Sequence, residues 1–195
     1  MEYTGLQQVN NADKAHLGGN ILEGDPFTFS PKVWNYMIKR FALKSVMDLG
    51  SGLGYSARYF HQAGLEVIAV DGMRENIEKA VFPTIEHDLA KGAIHCKVDL
   101  VHCQEVVEHI AEEFLPNLLS SLTCGKLILM TNALPGQEGY HHVNEQECAY
   151  WNEHLAEYDC HVLHEDTARI RKLAASEGAH YLAQTGTIYA NRKKI

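Results

Sequence analysis

Short apolar runs alternate with stretches of helical period along most of the chain. Residues 1 to about 20 are polar, contain Asn and Gly, and show no sustained period. Beyond them Val33, Trp34, Met37, Ile38 and Phe41 recur at helical spacing, and Ser30 followed by Pro31 supplies an N-cap and a first-turn proline, which predicts a helix over 31–42. SVMDLG (45–50) reads as a buried strand, GSGLG (50–54) as a turn, and 55–64 as a helix closed by Gly64. VIAVDG (67–72) is a second buried strand and RENIEKAV (74–81) a second helix. The rhythm continues with strands at 84–87 and 98–103, a helix over 107–122, and the strand KLILMT (126–131). A long polar connection, NALPGQEGYHHVNEQ (132–146), breaks it. Then come a helix over 145–158, a strand over 161–163, and a helix over 166–175 that buries Ile170, Leu173 and Ala174. A polar break at SEGAH (176–180) precedes a closing strand, TIYANR (187–192).

Strands that are apolar throughout, alternating with helices, imply a parallel sheet covered on both faces. At 195 residues the chain has room for one full domain, read as 28–195, with 1–27 as a leader or lid. The long connection would lie at the carboxyl edge of the sheet, where such loops shape a substrate pocket. Twenty-five acidic against seventeen basic residues give a formal charge of -8, which disfavours a nucleic-acid partner, since phosphate binding is driven by Lys and Arg. No run approaches the roughly 20 apolar residues needed to span a bilayer, and the N-terminus has no signal-peptide pattern, so the expectation is a cytoplasmic protein with no membrane partner. Five cysteines with no CxxC pair argue against a disulfide framework or a thiolate zinc site.

The informative run is Asp48-Leu49-Gly50-Ser51-Gly52-Leu53-Gly54. Glycines between a strand and a helix let a ligand approach the backbone, because they carry no Cβ and tolerate positive φ. Asp71, at the end of the second strand, sits where a carboxylate accepts both hydroxyls of a ribose. Together these describe a nucleoside-binding crevice.

An acidic residue followed by GxGxG resembles the first motif of class I, S-adenosylmethionine-dependent methyltransferases, and the resemblance covers about 28 to the end. It implies a doubly wound, mostly parallel α/β sheet of seven strands, Rossmann-like, with the last strand antiparallel. It also implies that Gly50, Gly52 and Gly54 pack against the methionine part of the cofactor, with Asp48 orienting the loop and Ser51 among the cofactor-binding residues. Asp71 would hold the ribose, and Gly72 and Met73 would lie near the adenine. His87, Asp88 and Leu89 resemble the third motif, whose acidic side chain bonds the adenine amino group, and Gln104 would sit near the methyl sulfonium.

Glu105, Glu108 and His109 stand at i, i+3 and i+4, which on a helix gathers two carboxylates and an imidazole on one face. Such a set suits Mg²⁺ or Mn²⁺. The same ExxEH is found in small-RNA 2'-O-methyltransferases and some quinone-pathway O-methyltransferases, which implies a metal site completed by a downstream histidine, here His142 in preference to His141. Without metal, Glu105, His109 and His142 remain the candidate catalytic residues, with His109 or His142 as general base.

Two further readings share the crevice. A nicotinamide-dependent oxidoreductase expects GxGxxG, whereas Tyr55 stands at the last glycine position. A non-catalytic nucleoside-binding module is the other. Among methyltransferases the absence of (D/N)PP(Y/F) and of a Pro-Cys nucleophile sets aside the amino-methylating nucleic-acid and cytosine-C5 classes. The expected acceptor is an O or N atom of a small molecule, with metal-dependent RNA 2'-O-methylation as the alternative.

Overall fold

Seven strands form one sheet in the order β3-β2-β1-β4-β5-β7-β6. The computed structural model describes residues 15–17, 24–137 and 139–195. The strands are β1 (Ser45–Leu49), β2 (Glu66–Asp71), β3 (Thr84–Glu86), β4 (Val98–Cys103), β5 (Gly125–Met130), β6 (Cys160–Val162) and β7 (Thr187–Asn191). Every pairing from β3 to β5 is parallel, and β7 runs antiparallel to both β5 and β6. The helices are α1 (Pro31–Phe41), α2 (Tyr55–Gln62), α3 (Arg74–Lys79), α4 (Leu115–Leu122), α5 (Cys148–Glu157), α6 (His164–Ala175) and α7 (His180–Gln184). No helix among the described residues is long and apolar enough to cross a membrane.

The continuous apolar strands are explained by burial on both faces. Successive side chains of a strand point to opposite sides. Met47, Val101, Ile128, Met130 and Tyr189 therefore pack with Leu118, Leu122, Trp151 and Leu155 on one face. Val46, Leu100, Leu127, Leu129 and Ile188 pack with Val33, Trp34, Phe60, Ile170 and Leu182 on the other.

Four expectations change in detail. The helix over 107–122 breaks into 3-10 turns at Val107–His109 and Glu112–Phe114, and only Leu115–Leu122 is α-helical. Pro116 has no N–H and would clash with a preceding helical carbonyl, so the helix starts at it. The Glu108 and Ile110 carbonyls are also claimed from outside, by the Val143 and Asn144 amides and by Asn144 Nδ2. The helix expected from 145 begins at Cys148, because the Glu145 carboxylate faces the connecting loop and accepts from Gly136 N. Ser30 holds the N-cap position without capping; its hydroxyl donates to Glu177, which itself accepts from Lys32 N. Within and beyond the polar break, Ala179 and Leu182 are fully buried, and five residues form α7, too few to show a period.

Leu100, at the centre of β4 and fully buried, is expected to lose about 2–5 kcal/mol of unfolding free energy as Leu100→Ala. Ile85→Ala on edge strand β3, at a position 58% exposed, should stay within about 0.5 kcal/mol. Urea titration checks both, and equal losses would contradict this placement of the core.

Candidate functional site

Strand order reverses between β1 and β4, so the connections leaving their carboxyl ends diverge and leave a crevice. A cavity of about 670 Å³ fills it. Its floor is the turn from β1 to α2. The Gly50 and Ser51 amides both donate to the Val70 carbonyl at 2.9 Å, which ties the turn to the end of β2. Gly50 has φ +72°, and a Cβ there would stand 2.2 Å from Val106 Cγ2. Gly52 has φ +56° and donates its amide to Asp71 Oδ2 at 2.7 Å. Asp71 Oδ1 accepts from Met73 N at 2.8 Å and Asn76 Nδ2 at 3.3 Å. Burial raises the Asp71 carboxyl above the ordinary aspartate range, and these donors act against that rise.

All of Asp48, Gly50, Ser51, Gly52, Asp71, Gly72, Met73, His87, Leu89 and Gln104 line the cavity. Gly54 lies behind the turn, with Phe82 against the place a Cβ would take. Asp88 points elsewhere: its Oδ1 accepts from Ala90 N at 2.9 Å and faces His16 Nε2 at 3.0 Å. His16 and Leu17 line the cavity beside Gly72, where a Cβ would come 2.5 Å from Leu17 Cδ2. The rest of the expected leader up to residue 23 lies outside the described residues. Ser51 Oγ, Asn76 Oδ1 and both amide atoms of Gln104 are buried at this cavity with no partner, a set of polar atoms that calls for a polar occupant.

Beneath the turn lies a group that the sequence reading missed. His102 Nδ1 is 2.6 Å from Asp48 Oδ1, Ser56 Oγ donates to Asp48 Oδ2 at 2.5 Å, and Trp34 Nε1 donates to His102 Nε2 at 3.3 Å. The signal available was a histidine inside an otherwise apolar strand, VDLVHC.

The helix-face arrangement of Glu105, Glu108 and His109 does not form. Glu105 has φ +54° and precedes the 3-10 turn; its amide donates to Thr131 Oγ1 and its Oε1 accepts from the same hydroxyl, each at 2.8 Å. Thr131, at the end of β5, thereby turns Glu105 away from a helical path. Burial pushes the Glu105 carboxyl up to about 7. Glu108 is fully buried with neither oxygen partnered, and burial with nearby Glu105 holds it well above the glutamate range. His109 is lowered to about 4, by burial first and by His142 second, so its ring is neutral at pH 7.

The ligand atoms of Glu108, His109 and His142 lie within 4.8 Å of one another; Glu105 is not in that group. The His142 ring is edge-on to His109 at 5.0 Å, with Nδ1 2.9 Å from the Gln137 carbonyl and 3.1 Å from Glu145 Oε1. Two acceptors at Nδ1 place the hydrogen there and leave Nε2 as the lone-pair nitrogen, the way outer partners orient a metal-binding imidazole. His109 and Glu105 line the cavity, whereas Glu108 and His142 stand behind its wall.

Charge at the cavity is one-sided. Asp25, Asp48, Asp71, Glu105 and Glu177 line it, and among the described residues no Lys or Arg does.

A family model described as methyltransferase domain matches residues 29–166. A curated relative, a ubiquinone biosynthesis O-methyltransferase of Rickettsia typhi, is 28% identical over 88 residues, which cover 40% of this chain and 36% of that protein. The match thus spans little more than a third of the relative's length. Among solved structures, a SAM-dependent methyltransferase from Archaeoglobus fulgidus superposes with a TM-score of 0.56 at 18% identity, covering 87% of this chain and 94% of that one. Magnesium protoporphyrin IX methyltransferase from Synechocystis PCC 6803, with bound SAM, gives 0.55 at 18% identity over 67% and 66% of the two chains. The methyltransferase domain of bacterial CtHen1 gives 0.54 at 20% identity over 66% and 83%. At these identities the likeness is one of fold.

Gly50→Ala should cost about 1–3 kcal/mol for the left-handed backbone alone, and more for the contact with Val106. In a double-mutant cycle read by urea unfolding, Val106→Ala should recover the contact part and leave the backbone part. Strict additivity would mean that Val106 does not set the packing of the turn.

Proposed function

The chain belongs to the methyltransferase-domain family, and from that premise we propose that it binds S-adenosylmethionine in the crevice and methylates an O or N atom of a small molecule. The observation that carries the cofactor is the cavity wall: five carboxylates, no Lys or Arg among the described residues, and unpartnered Ser51, Asn76 and Gln104 side-chain atoms. That wall suits a cationic sulfonium and a nucleoside, and it opposes the pyrophosphate of a dinucleotide. When bound, S-adenosylmethionine supplies an electrophilic methyl group.

The chain's own part is to bind, orient and exclude water. Gly50 and Gly52 bring backbone close to the ligand, and Asp71, with both oxygens already fixed by amides, is a rigid acceptor for ribose hydroxyls. Gly72, Met73, His87 and Leu89 would hold the adenine end, bordered by Leu17 and by His16, which faces Asp88. Gln104 would face the sulfonium. In the absence of a metal, His109, neutral at pH 7 and lining the cavity, is the base positioned to take a proton from the acceptor. The surplus of acidic residues supports a small-molecule acceptor over RNA.

A metal requirement is favoured by the second cluster. Glu108, His109 and His142 offer one carboxyl and two imidazoles, and two of the three side chains carry buried atoms with no partner. A divalent cation would relieve that cost; two imidazoles beside one carboxylate suit Mn²⁺ better than Mg²⁺, which prefers oxygen ligands.

Calorimetric titration with S-adenosylmethionine and S-adenosylhomocysteine is expected to show saturable binding that Asp71→Ala weakens about tenfold or more. No binding by folded protein free of retained cofactor would overturn the assignment. Titration with Mn²⁺ should show one site per chain that His142→Ala removes; no saturable binding would end the metal reading.

A further inference from the structure

We propose that His102 is a positioning residue that holds the cofactor turn in its binding geometry through Asp48, an inference that rests on the cofactor reading above.

The turn is costly to order. Gly50, Gly52 and Gly54 all sit at positive φ, and glycine loses more conformational freedom on being fixed than any other residue. The Asp48 carboxylate bridges it from below. It stands at the end of β1, and its Oδ2 takes the hydroxyl of Ser56 in the first turn of α2, so a single side chain spans both ends of the segment 49–55. The bridge holds only if the Asp48 side chain is itself fixed, in a site where its residue is 1% exposed. A buried carboxylate needs donors.

His102 supplies the second donor, and its placement follows from the sheet. Residues 48 and 102 are register partners on the parallel strands β1 and β4, so both side chains leave the same face at the same level. Trp34 Nε1–H can only donate, and it points at His102 Nε2; that nitrogen must therefore be the acceptor, and the hydrogen must sit on Nδ1, 2.6 Å from Asp48 Oδ1. Phe60 and Trp34 lie edge-on to the imidazole at 5.5 and 5.8 Å, and His102 is 3% exposed. The chain of bonds thus runs from Trp34 on α1, through His102 on β4 and Asp48 on β1, to Ser56 on α2. The carboxylate is in the middle and the serine bonds to it, not to the imidazole. The group therefore activates no nucleophile, and its output is the shape of the turn.

His102→Leu removes the donor, and His102→Asn puts an amide N–H where Nδ1–H stood. The test is the affinity for S-adenosylhomocysteine by calorimetry, together with hydrogen exchange of the amides of 50–56 in ligand-free protein and, as internal reference, those of β5. A hydrogen bond to a charged group is worth enough to set the expected loss at about tenfold in His102→Leu. That loss should come with faster exchange in 50–56 and unchanged exchange in β5, and His102→Asn should return both to within about threefold of the parent. If His102→Leu does not fold, Trp34→Phe keeps the ring and deletes only the N–H, with an expected weakening of about threefold. Unchanged affinity in folded His102→Leu, or in Trp34→Phe where the first variant is lost, would overturn the proposal, as would failure of folded His102→Asn to recover. A uniform rise in exchange across turn and β5 would reduce His102 to a core residue and equally overturn it. Absence of ligand binding by the parent protein would instead sink the cofactor reading beneath it.

Discussion

A parallel sheet buried on both faces has one place where its backbone must turn outward without a neighbouring connection to cover it. Here that place is the carboxyl end of β1 and β4, where strand order reverses. Two amides of the glycine turn close onto the Val70 carbonyl, and that closure sets the position of the turn against β2. Once the turn is there, Gly52 meets Asp71, Val106 meets Gly50, and the cavity has its floor.

Asp48, Ser51, Asp71, Asn76 and His102 are buried polar side chains gathered around this floor. Asp48, His102 and Ser56 satisfy one another below it, while Ser51, Asn76 and Gln104 retain unpartnered atoms at it. The first set also borders the cavity but is complete without a ligand; the second set is incomplete and reads as binding surface. The cluster of Glu108, His109 and His142 is incomplete in a different way: His109 lines the cavity, the other two stand behind its wall, and their ligand atoms lie within 4.8 Å of one another. The loop 132–146 that carries His142 is pinned by the Val143 and Asn144 amides on the Glu108 carbonyl and by Asn132 Nδ2 on the Gln146 carbonyl, so the cluster is assembled by backbone bonds.

The one-sided charge of the cavity links fold to chemistry. Carboxylates gathered in a low-dielectric crevice repel each other and favour a cationic guest. The upward shift of Glu105 and Asp71 is the same fact seen from the protein's side: burial resists their ionisation, and a positive charge brought among them would lower that resistance.

By itself the sequence determined the succession of strands, most of the helices, and the glycine turn with Asp71, because apolar runs, period and glycine placement are local properties; the antiparallel final strand was implied by the family resemblance that the glycine run carries. Tertiary structure decided what depends on residues distant in the chain. Thr131 bends Glu105 off the helical path that spacing alone implied, Glu177 takes over the capping of α1 from Ser30, and His16 draws Asp88 away from the cavity. Asp48 and His102, 54 residues apart, become neighbours only because β1 and β4 pair in parallel at that register. Pairing register is a property of the assembled sheet, and no local pattern in either strand announces it.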